Sequence, residues 1–162
     1  MPLPDFPDGQ TIFLDANCLI YHFTGTYPSC AILLDRARQR NIRIVTSTAI
    51  IAEVHHRLMM LEMAKRVDRP LRLMPSCLKQ HPEIIRSLRE CERAIDALPA
   101  FRLRVVPVTW RLFDEARRLS HELGLLTNDG LVVATMRAHH ITHLASNDTD
   151  FARVPGITVW RP

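Results

Sequence analysis

Residues 11–17 read Thr-Ile-Phe-Leu-Asp-Ala-Asn, a short apolar run that stops at an acidic residue. The run is rich in side chains that favour β-structure, so it predicts a strand over residues 11–14. An amphipathic stretch follows at residues 29–40, and a second run of β type follows at residues 43–45. This order of strand, helix and strand is typical of parallel strands that are joined by a crossover helix.

The same alternation continues along the chain after a long helix that begins near residues 46–48. Short apolar strands that alternate with amphipathic helices predict an α/β fold. The specific expectation is a three-layer α/β/α sandwich around a central, mostly parallel sheet of about five strands. The further predicted elements are strands at residues 103–108, 143–146 and 157–160, and helices at residues 83–98, 110–123 and 129–139.

Residues 64–100 are less regular and predict a helical arm. Three prolines break the periodicity early in this segment, and helical spacing returns near its end. We expect a single domain over residues 1–162 that carries this arm. A group of methionines is open to two interpretations, a surface for a partner or ordinary core packing. These residues are Met59, Met60, Met63 and Met74.

The composition is that of an ordinary globular protein. The chain has 162 residues, of which 47% are hydrophobic and 23% charged, so intrinsic disorder and a collagen-like fibre are excluded. The uncharged stretch at residues 16–34 is too polar for a transmembrane helix. The four cysteines lack the paired spacing of a zinc ribbon, and residues 1–9 do not resemble a signal peptide. We therefore expect a cytoplasmic protein with reduced thiols and no membrane partner.

Arginine dominates the positive charge. The formal net charge is +4, and 19 of the 21 basic residues are arginine. Arginine is well suited to forked contacts with phosphate, although codon usage in a GC-rich genome explains the same bias. Two basic runs could follow the phosphates of a nucleic acid, or each could be a solvated helix face. The first contains Arg36, Arg38, Arg40 and Arg43, and the second contains Lys65, Arg66, Arg69, Arg72 and Lys79.

Acidic residues follow two of the predicted strands. Asp15 ends the first strand, and Asp148 and Asp150 follow the strand at residues 143–146. Ligands of open parallel sheets bind beyond the carboxyl ends of the strands, which makes these positions candidates for a site. Local structure offers an alternative for each position, since aspartate is also favoured as a helix N-cap and in turns.

Two further acidic residues lie in apolar helices. Glu53 follows Ala49 and Ile50 at helical spacing, so we expect it to be largely buried. A buried carboxylate needs a compensating partner, which could be an arginine, backbone amides or a metal ion. Asp129 opens the helix at residues 129–139, where capping and the helix dipole are the alternative explanation.

Together these carboxylates predict a metal site. If four acidic residues converge at the strand ends, their mutual repulsion is best relieved by a divalent cation. Carboxylate oxygens are hard ligands that suit Mg²⁺ or Mn²⁺, which also bind phosphate oxygens. The histidines at positions 55, 56, 139, 140 and 143 offer a transition-metal site as an alternative, but they form no known zinc motif.

Four short motifs occur in order along the chain: Asp15-Ala-Asn17, Ser47 to Glu53, Asp129 to Ala134, and Ser146-Asn-Asp-Thr-Asp-Phe151. In these motifs the chain resembles the PIN-domain ribonucleases, and more closely the VapC-type toxins of bacterial and archaeal toxin-antitoxin pairs. The resemblance spans residues 11–160, and the segment between the second and third motifs is longer than in compact members of the family. It implies that Asp15, Glu53, Asp129 and Asp148 are catalytic and bind the metal, with Asp150, Asn17, Ser47 and Ser146 as auxiliary residues.

The resemblance also implies a function. It predicts an endoribonuclease that uses Mg²⁺ or Mn²⁺ to hydrolyse RNA phosphodiester bonds, as the toxin of a type II toxin-antitoxin pair. The implied partners are an RNA substrate, a cognate antitoxin protein and a second copy of the chain in a homodimer. Two alternatives stay open on the sequence alone: a housekeeping RNA-processing nuclease, and a PIN-fold binding or scaffold module with little activity.

Overall fold

The computed structural model describes residues 1–67 and 70–162, and the chain folds around a five-stranded sheet. Asp68 and Arg69 lie outside the described residues, and Arg69 belongs to the second basic run. Neighbouring strands are all parallel and lie in the order β3-β2-β1-β4-β5, which confirms the predicted parallel sheet. The strands are β1 (Thr11–Leu14), β2 (Arg43–Ser47), β3 (Arg104–Val106), β4 (His143–Ala145) and β5 (Thr158–Trp160).

Helices cover both faces of the sheet and complete the predicted three-layer sandwich. One layer pairs two long helices, and the other joins helices from the first half of the chain with the arm. The helices are α1 (Ala16–Thr24), α2 (Pro28–Arg38), α3 (Thr48–Val67), α4 (Met74–Gln80), α5 (Pro82–Ser87), α6 (Glu90–Ala97), α7 (Trp110–Leu123) and α8 (Thr127–Ala138). The first layer consists of α7 and α8, while α1 contacts α2 and α3, and α3 contacts α6.

Strand β1 lies at the centre of the sheet. Its residues Ile12, Phe13 and Leu14 are buried because helices cover both sides of a parallel sheet. From β1 the chain proceeds to β2 on one side, and β4 later pairs with β1 on the other side. The carboxyl ends of β1 and β4 therefore border the point where the strand order reverses, which is where open α/β sheets bind their ligands.

Helix α1 was not expected from the sequence, which places the first helix at residues 29–40. It begins directly after Asp15, whose Oδ1 accepts a hydrogen bond from the amide N–H of Ala16 at 2.7 Å. It ends at Gly25, whose φ of 70° terminates the helix. The helix carries no formally charged side chain, so its polar face was not apparent in the sequence.

The predicted arm is helical, but the helix expected at residues 83–98 is two helices, α5 and α6. The break lies at Leu88, which has an extended backbone and is buried. The next amide N–H, that of Arg89, donates to Oε1 of Glu62 on α3 at 2.9 Å. This tertiary hydrogen bond replaces an intrahelical one. Because its acceptor is distant in sequence, helical spacing alone does not reveal the break and predicts a continuous helix.

Glu62 joins the arm to α3 and is itself only 3% exposed. Its Oε2 accepts from the amide N–H of Cys91 at 3.0 Å, and its Oε1 also accepts from Nη2 of Arg66 at 2.5 Å. Burial by itself raises the pKa of Glu62, but these donors together lower it to about 2. Glu62 is therefore an ionised, fully hydrogen-bonded anchor for the start of α6.

The arm has a small core of its own. Met60 and Met63 from α3 pack with Met74 and Leu78 from α4, and all four side chains are buried. Core packing is thus the correct interpretation for these three methionines, and the interpretation as a partner surface is wrong for them. In the part of the chain that the structure describes, no helix combines the length and apolar character needed to cross a membrane. The four cysteines are free thiols, as predicted.

Candidate active site

The four acidic residues singled out in the sequence line one pocket of about 380 Å³. Each comes from a different part of the fold. Asp15 follows β1, Glu53 lies on α3, Asp129 lies in the first turn of α8, and Asp148 lies in the loop after β4. The pocket therefore opens at the carboxyl ends of β1 and β4, where the sheet topology places a ligand site.

Asp15 is held by three hydrogen bonds. Its Oδ1 caps α1 at Ala16, and its Oδ2 accepts from Nδ2 of Asn17 at 2.7 Å and from Oγ of Ser146 at 2.6 Å. The backbone N–H of Asp15 also donates to the carbonyl of Ala145 at 3.1 Å. The alternative interpretation as an N-cap is therefore correct, and the same side chain also faces the pocket.

Ser146 connects the ends of the two central strands. It is fully buried, and its Oγ accepts from the amide N–H of Asp148 at 3.0 Å and from Nδ2 of Asn17 at 3.1 Å. The amide N–H of Asn147 in turn donates to Oδ1 of Asn17 at 3.2 Å. Asn17 and Ser146 are thus placed beside the candidate acidic residues, where the sequence motifs put them.

Asp148 and Asp150 form a turn after β4, as local structure predicts for such a pair. Oδ1 of Asp148 accepts from the amide N–H of Asp150 at 2.8 Å. Asp148 lines the pocket, whereas Oδ1 of Asp150 accepts from Nη1 of Arg153 at 3.2 Å. Nη1 of Arg161 donates to the carbonyl of Asn147 at 3.1 Å and holds the loop from behind.

The prediction that Glu53 is largely buried is wrong, because its side chain is exposed at the mouth of the pocket. Its apolar neighbour Ile50 supplies part of the pocket wall, so the apolar spacing continues into the site rather than enclosing the carboxylate. Ser47, by contrast, is buried and acts as a cap at the start of α3, where its Oγ accepts from the amide N–H of Ile50 at 3.3 Å.

Two residues of the pocket were missed by the sequence interpretation. Nδ2 of Asn128 donates to Oε2 of Glu53 at 3.2 Å. Arg57 lies one helical turn after Glu53 and lines the same pocket, and its positive charge partly offsets the rise in the pKa of Glu53 that burial and Asp129 cause. The spacing of four residues between Glu53 and Arg57 could have indicated that the two charges lie on the same side of α3.

The position of Asp129 depends on the close contact between α7 and α8. Gly130 is buried where these helices meet, and a Cβ at this position would lie 2.7 Å from the carbonyl oxygen of Ala116. The glycine is therefore required by space rather than by an unusual backbone angle. It allows the first turn of α8, and with it Asp129, to approach α7 closely.

The PIN domain family matches this chain over residues 12–157. The chain belongs to the PIN domain family. Ribonuclease VapC2 of Methanocaldococcus jannaschii is 27% identical to this PIN domain over 144 residues, which is 88% of each chain.

Solved structures of similar fold agree with this assignment. The structure of VapBC2 from Rickettsia felis, bound to a DNA fragment from its promoter, contains a chain with a TM-score of 0.58 and 18% identity. The alignment covers 93% of this PIN domain and 98% of that chain. A toxin-antitoxin complex from Klebsiella pneumoniae contains a chain with a TM-score of 0.59 and 19% identity, covering 91% and 95% of the two chains. At these identities the likeness establishes the fold.

The acidic pocket of this PIN domain is electrostatically strained. Burial raises the pKa of Asp15 to about 6, with further contributions from the charges of Glu53 and Asp148. Burial and the charges of Asp148, Asp15 and Asp150 raise the pKa of Asp129 to about 6. Partial desolvation of the Glu53 carboxylate at the pocket and the charge of Asp129 also raise the pKa of Glu53. The carboxylates thus repel one another, and a cation between them would relieve this repulsion.

The donor set fits a hydrated divalent cation. Carboxylate, amide and hydroxyl oxygens are the ligands that Mg²⁺ and Mn²⁺ prefer. Among the described residues, one group of three His, Cys, Asp or Glu side chains has all its ligand atoms within 4.8 Å of one another. This group consists of His55, Cys91 and Glu92. In the same described part of the chain, no three of the four carboxylates form such a group. Mg²⁺ does not require one, because it usually keeps several waters and takes only one or two carboxylates directly.

The group of His55, Cys91 and Glu92 differs from the histidine site that the sequence left open as an alternative. Nε2 of His55 lies 3.0 Å from Oε1 of Glu92, so these two side chains already form a pair. Burial and the neighbouring Glu62 raise the pKa of the Cys91 thiol to about 11. The group also contains only one of the five histidines considered in the sequence, so it does not match the alternative of a site built from several of them.

Proposed function

We propose that this PIN domain is a metal-dependent endoribonuclease that hydrolyses RNA phosphodiester bonds. Asp15, Glu53, Asp129 and Asp148 are the proposed catalytic and metal-binding residues. The observation that carries the proposal is the convergence of these four carboxylates, from four separate elements, on one pocket at the switch point of the sheet. Sequence similarity to ribonuclease VapC2 of M. jannaschii over most of both chains adds support.

Mg²⁺ or Mn²⁺ is the proposed cofactor, and a bound ion would supply charge neutralisation at the phosphate together with activation of the attacking water. The residues of the chain provide the framework for that chemistry. Asp15 is fixed by Ser146, Asn17 and the amide of Ala16, so its free lone pairs keep a constant direction. Asp148 is kept beside it because its own amide N–H donates to the Ser146 hydroxyl. These residues hold the ligand set in place before substrate arrives.

The opposite side of the pocket would contact the substrate. Glu53 lies at the open mouth with Asn128 bonded to it, and Arg57 places a guanidinium group there. A guanidinium group is a good partner for an RNA phosphate beside the scissile bond. Asp150, which is bonded to Arg153, and Ser47, which caps α3, are auxiliary residues that support the pocket without lining it.

The biological role that we propose is that of a toxin in a type II toxin-antitoxin pair, acting in the cytoplasm. Support comes from the VapC name of the relative and from the toxin-antitoxin complexes among the structures of similar fold. The partners would be an RNA substrate, a cognate antitoxin protein and a second copy of the chain. A small open reading frame just upstream that encodes a DNA-binding protein would support this role over housekeeping RNA processing.

Cleavage of a structured RNA in Mg²⁺ or Mn²⁺ tests the proposed activity. We expect the Asp15→Asn, Asp129→Asn double variant to be slower than the parent by about a hundredfold or more, with its folded structure retained. The matched control is Arg86→Gln, which changes an exposed side chain on α5 away from the pocket. A double variant that cuts RNA as fast as the parent would refute the proposal.

A further inference from the structure

A second pocket, of about 470 Å³, lies at the opposite edge of the sheet. It is bordered by the first residues of three strands, Thr11, Arg43 and Arg104, and by the end of α8. We call it the amino-edge pocket. Its lining contains four arginines and two histidines and, among the described residues, no aspartate or glutamate. The basic residues are Arg40, Arg43, Arg102, Arg104, His139 and His140.

The guanidinium groups of this pocket are available to a ligand. Arg40, Arg102 and Arg104 are exposed, and within residues 1–67 and 70–162 their side chains have no hydrogen-bond or ion-pair partner. Arg43 is held in a fixed direction, since its Nε donates to Oγ1 of Thr11 at 3.0 Å and its Nη2 donates to the carbonyl of Gly9 at 2.9 Å. The pocket is therefore bordered by three unpaired guanidinium groups and by the oriented guanidinium group of Arg43, without compensating acidic groups among the described lining residues.

Three of these basic residues occupy a backbone conformation that normally favours glycine. Arg40, Arg102 and His140 have φ values of 66°, 57° and 54°, and they are the described non-glycine residues with positive φ. Each lies in the turn that leads into a strand, namely β2, β3 or β4. At the ends of α1 and α7 the chain uses glycine for the same conformation.

Retaining large side chains at three strained positions around one pocket points to a role for those side chains. L-residues in the left-handed region are unfavourable, and such strain tends to collect at functional sites. Glycine would relieve the strain at Arg40 and Arg102 but would remove the positive charge. Anion binding by the pocket would explain why these three positions keep basic side chains instead of glycine.

The interior of the amino-edge pocket is apolar. Ile42, Ile44 and Ile141 line it and are each less than one tenth exposed. A basic rim around an apolar floor matches a ligand that carries a phosphate on a flat, weakly polar group, and the volume falls in the range of small-molecule sites. We propose that the amino-edge pocket binds a nucleotide, with its phosphate on the arginines and its base on the isoleucine floor. The ligand would be either a free nucleotide or the phosphorylated end of an RNA chain.

Calorimetric titration with AMP in EDTA tests this proposal on the full chain, since EDTA removes metal-mediated binding at the acidic pocket. We expect AMP to bind with an affinity that falls as salt rises, and adenosine to bind at least about tenfold more weakly because it lacks the phosphate. The Arg40→Gly, Arg102→Gly double variant should lose at least about tenfold in AMP affinity. Its melting temperature should be unchanged or higher, because glycine adopts the left-handed conformation freely.

The control variants separate this site from general positive charge and from the nuclease site. Arg86→Gln removes an exposed charge on α5, and Asp129→Asn alters the acidic pocket, so both should bind AMP like the parent. Tighter binding of a 5′-phosphorylated oligoribonucleotide than of AMP would assign the pocket to an RNA end, and the reverse order would assign it to a free nucleotide. Failure of the parent to bind either probe, or equal AMP affinity in the double variant, would overturn the proposal.

Discussion

Oγ of Ser146 donates a hydrogen bond to Oδ2 of Asp15 at 2.6 Å, across 131 residues of sequence. The two residues directly follow Leu14 and Ala145, which are register partners on the central strands β1 and β4. The hydroxyl also accepts from the amide of Asp148, so one buried oxygen orients two of the four candidate carboxylates. The geometry of the acidic pocket is therefore built into the sheet register itself.

Replacing Ser146 should disturb both the pocket and the fold. We expect Ser146→Ala to lower the free energy of unfolding by about 1–2 kcal/mol, because buried partners lose a hydrogen bond. It should also weaken Mn²⁺ binding, measured by calorimetry, since Asp15 and Asp148 lose their common support. Thr135→Ala is the matched control, because it removes a buried hydroxyl that donates to the carbonyl of Leu131 within α8 and does not line the pocket, so it should change stability without changing Mn²⁺ affinity. Equal Mn²⁺ affinity in Ser146→Ala and the parent would contradict the positioning role.

The raised pKa of Asp129 makes the metal-free protein sensitive to pH. A carboxyl group whose pKa rises from 3.8 to about 6 on folding contributes stability at low pH that is lost as pH increases through about 6. We therefore expect Asp129→Asn to be more stable than the parent at neutral pH in EDTA, by about 1 kcal/mol after allowance for partial exposure of the group. Urea unfolding at several pH values measures this difference. A difference that does not shrink toward about pH 4 would contradict the electrostatic explanation.

Metal binding should reverse this effect in the parent. Protons compete with the cation for Asp15 and Asp129, whose pKa values are both about 6. Mn²⁺ should therefore raise the melting temperature of the parent more at about pH 8 than at about pH 5, and it should raise that of Asp129→Asn much less. The same upward shift in the parent and the variant would show that Mn²⁺ acts elsewhere.

Glu62 should be important for stability but not for the acidic pocket. Glu62→Ala leaves the amides of Arg89 and Cys91 without their partner, and we expect it to lower the free energy of unfolding by about 3 kcal/mol. Glu62→Gln is a milder control because it keeps one acceptor oxygen. Since the pKa of Glu62 falls from 4.5 to about 2 on folding, its ionic contribution is present above about pH 4.5 and is lost as pH falls toward 2. A Glu62→Gln effect that is constant over this range in chemical unfolding would contradict the assignment.

The space between α7 and α8 gives a prediction of a different kind. Gly130→Ala would place a Cβ 2.7 Å from the carbonyl oxygen of Ala116, so the helices must separate. We expect a loss of about 1–3 kcal/mol in thermal or urea unfolding, as for other overpacked core positions. Mn²⁺ affinity should fall as well, because Asp129 lies beside the displaced residue. A variant as stable as the parent would show that the helices adjust without strain.

Much of the fold could be predicted because strands and helices alternate clearly in the sequence. Strand β1 and the acidic residue after it illustrate this, because the apolar pattern of a strand and the polar residue that ends it are both visible in the local sequence. Helix α1 was missed because its uncharged residues give little amphipathic contrast, and the break at Leu88 was missed because it depends on Glu62, which is distant in sequence.

Parts of the candidate site could likewise be predicted from the sequence, and other parts could not. Asp15, Asn17 and Ser146 come together because β1 and β4 are parallel neighbours whose last residues, Leu14 and Ala145, are register partners. The exposure of Glu53 could not be predicted, because an apolar helix face has the same sequence pattern whether it packs in the core or lines a pocket. The sequence placed Arg40 and Arg43 in one basic run, but it could not predict that they share the amino-edge pocket with Arg102 and Arg104. Its members come from three separate turns, and a positive φ at an arginine leaves no mark in the sequence.

We propose that the acidic pocket holds a divalent cation against an RNA phosphate during cleavage. Single-turnover cleavage of an RNA with a phosphorothioate at the mapped cut site tests it most directly, because sulfur binds Mg²⁺ poorly and accepts the softer Mn²⁺ more readily. We predict that the sulfur substitution slows cleavage by about tenfold or more in Mg²⁺, with much of the rate restored in Mn²⁺ and none in EDTA. An equal effect of sulfur in both metals, or cleavage that persists in EDTA, would contradict the claim.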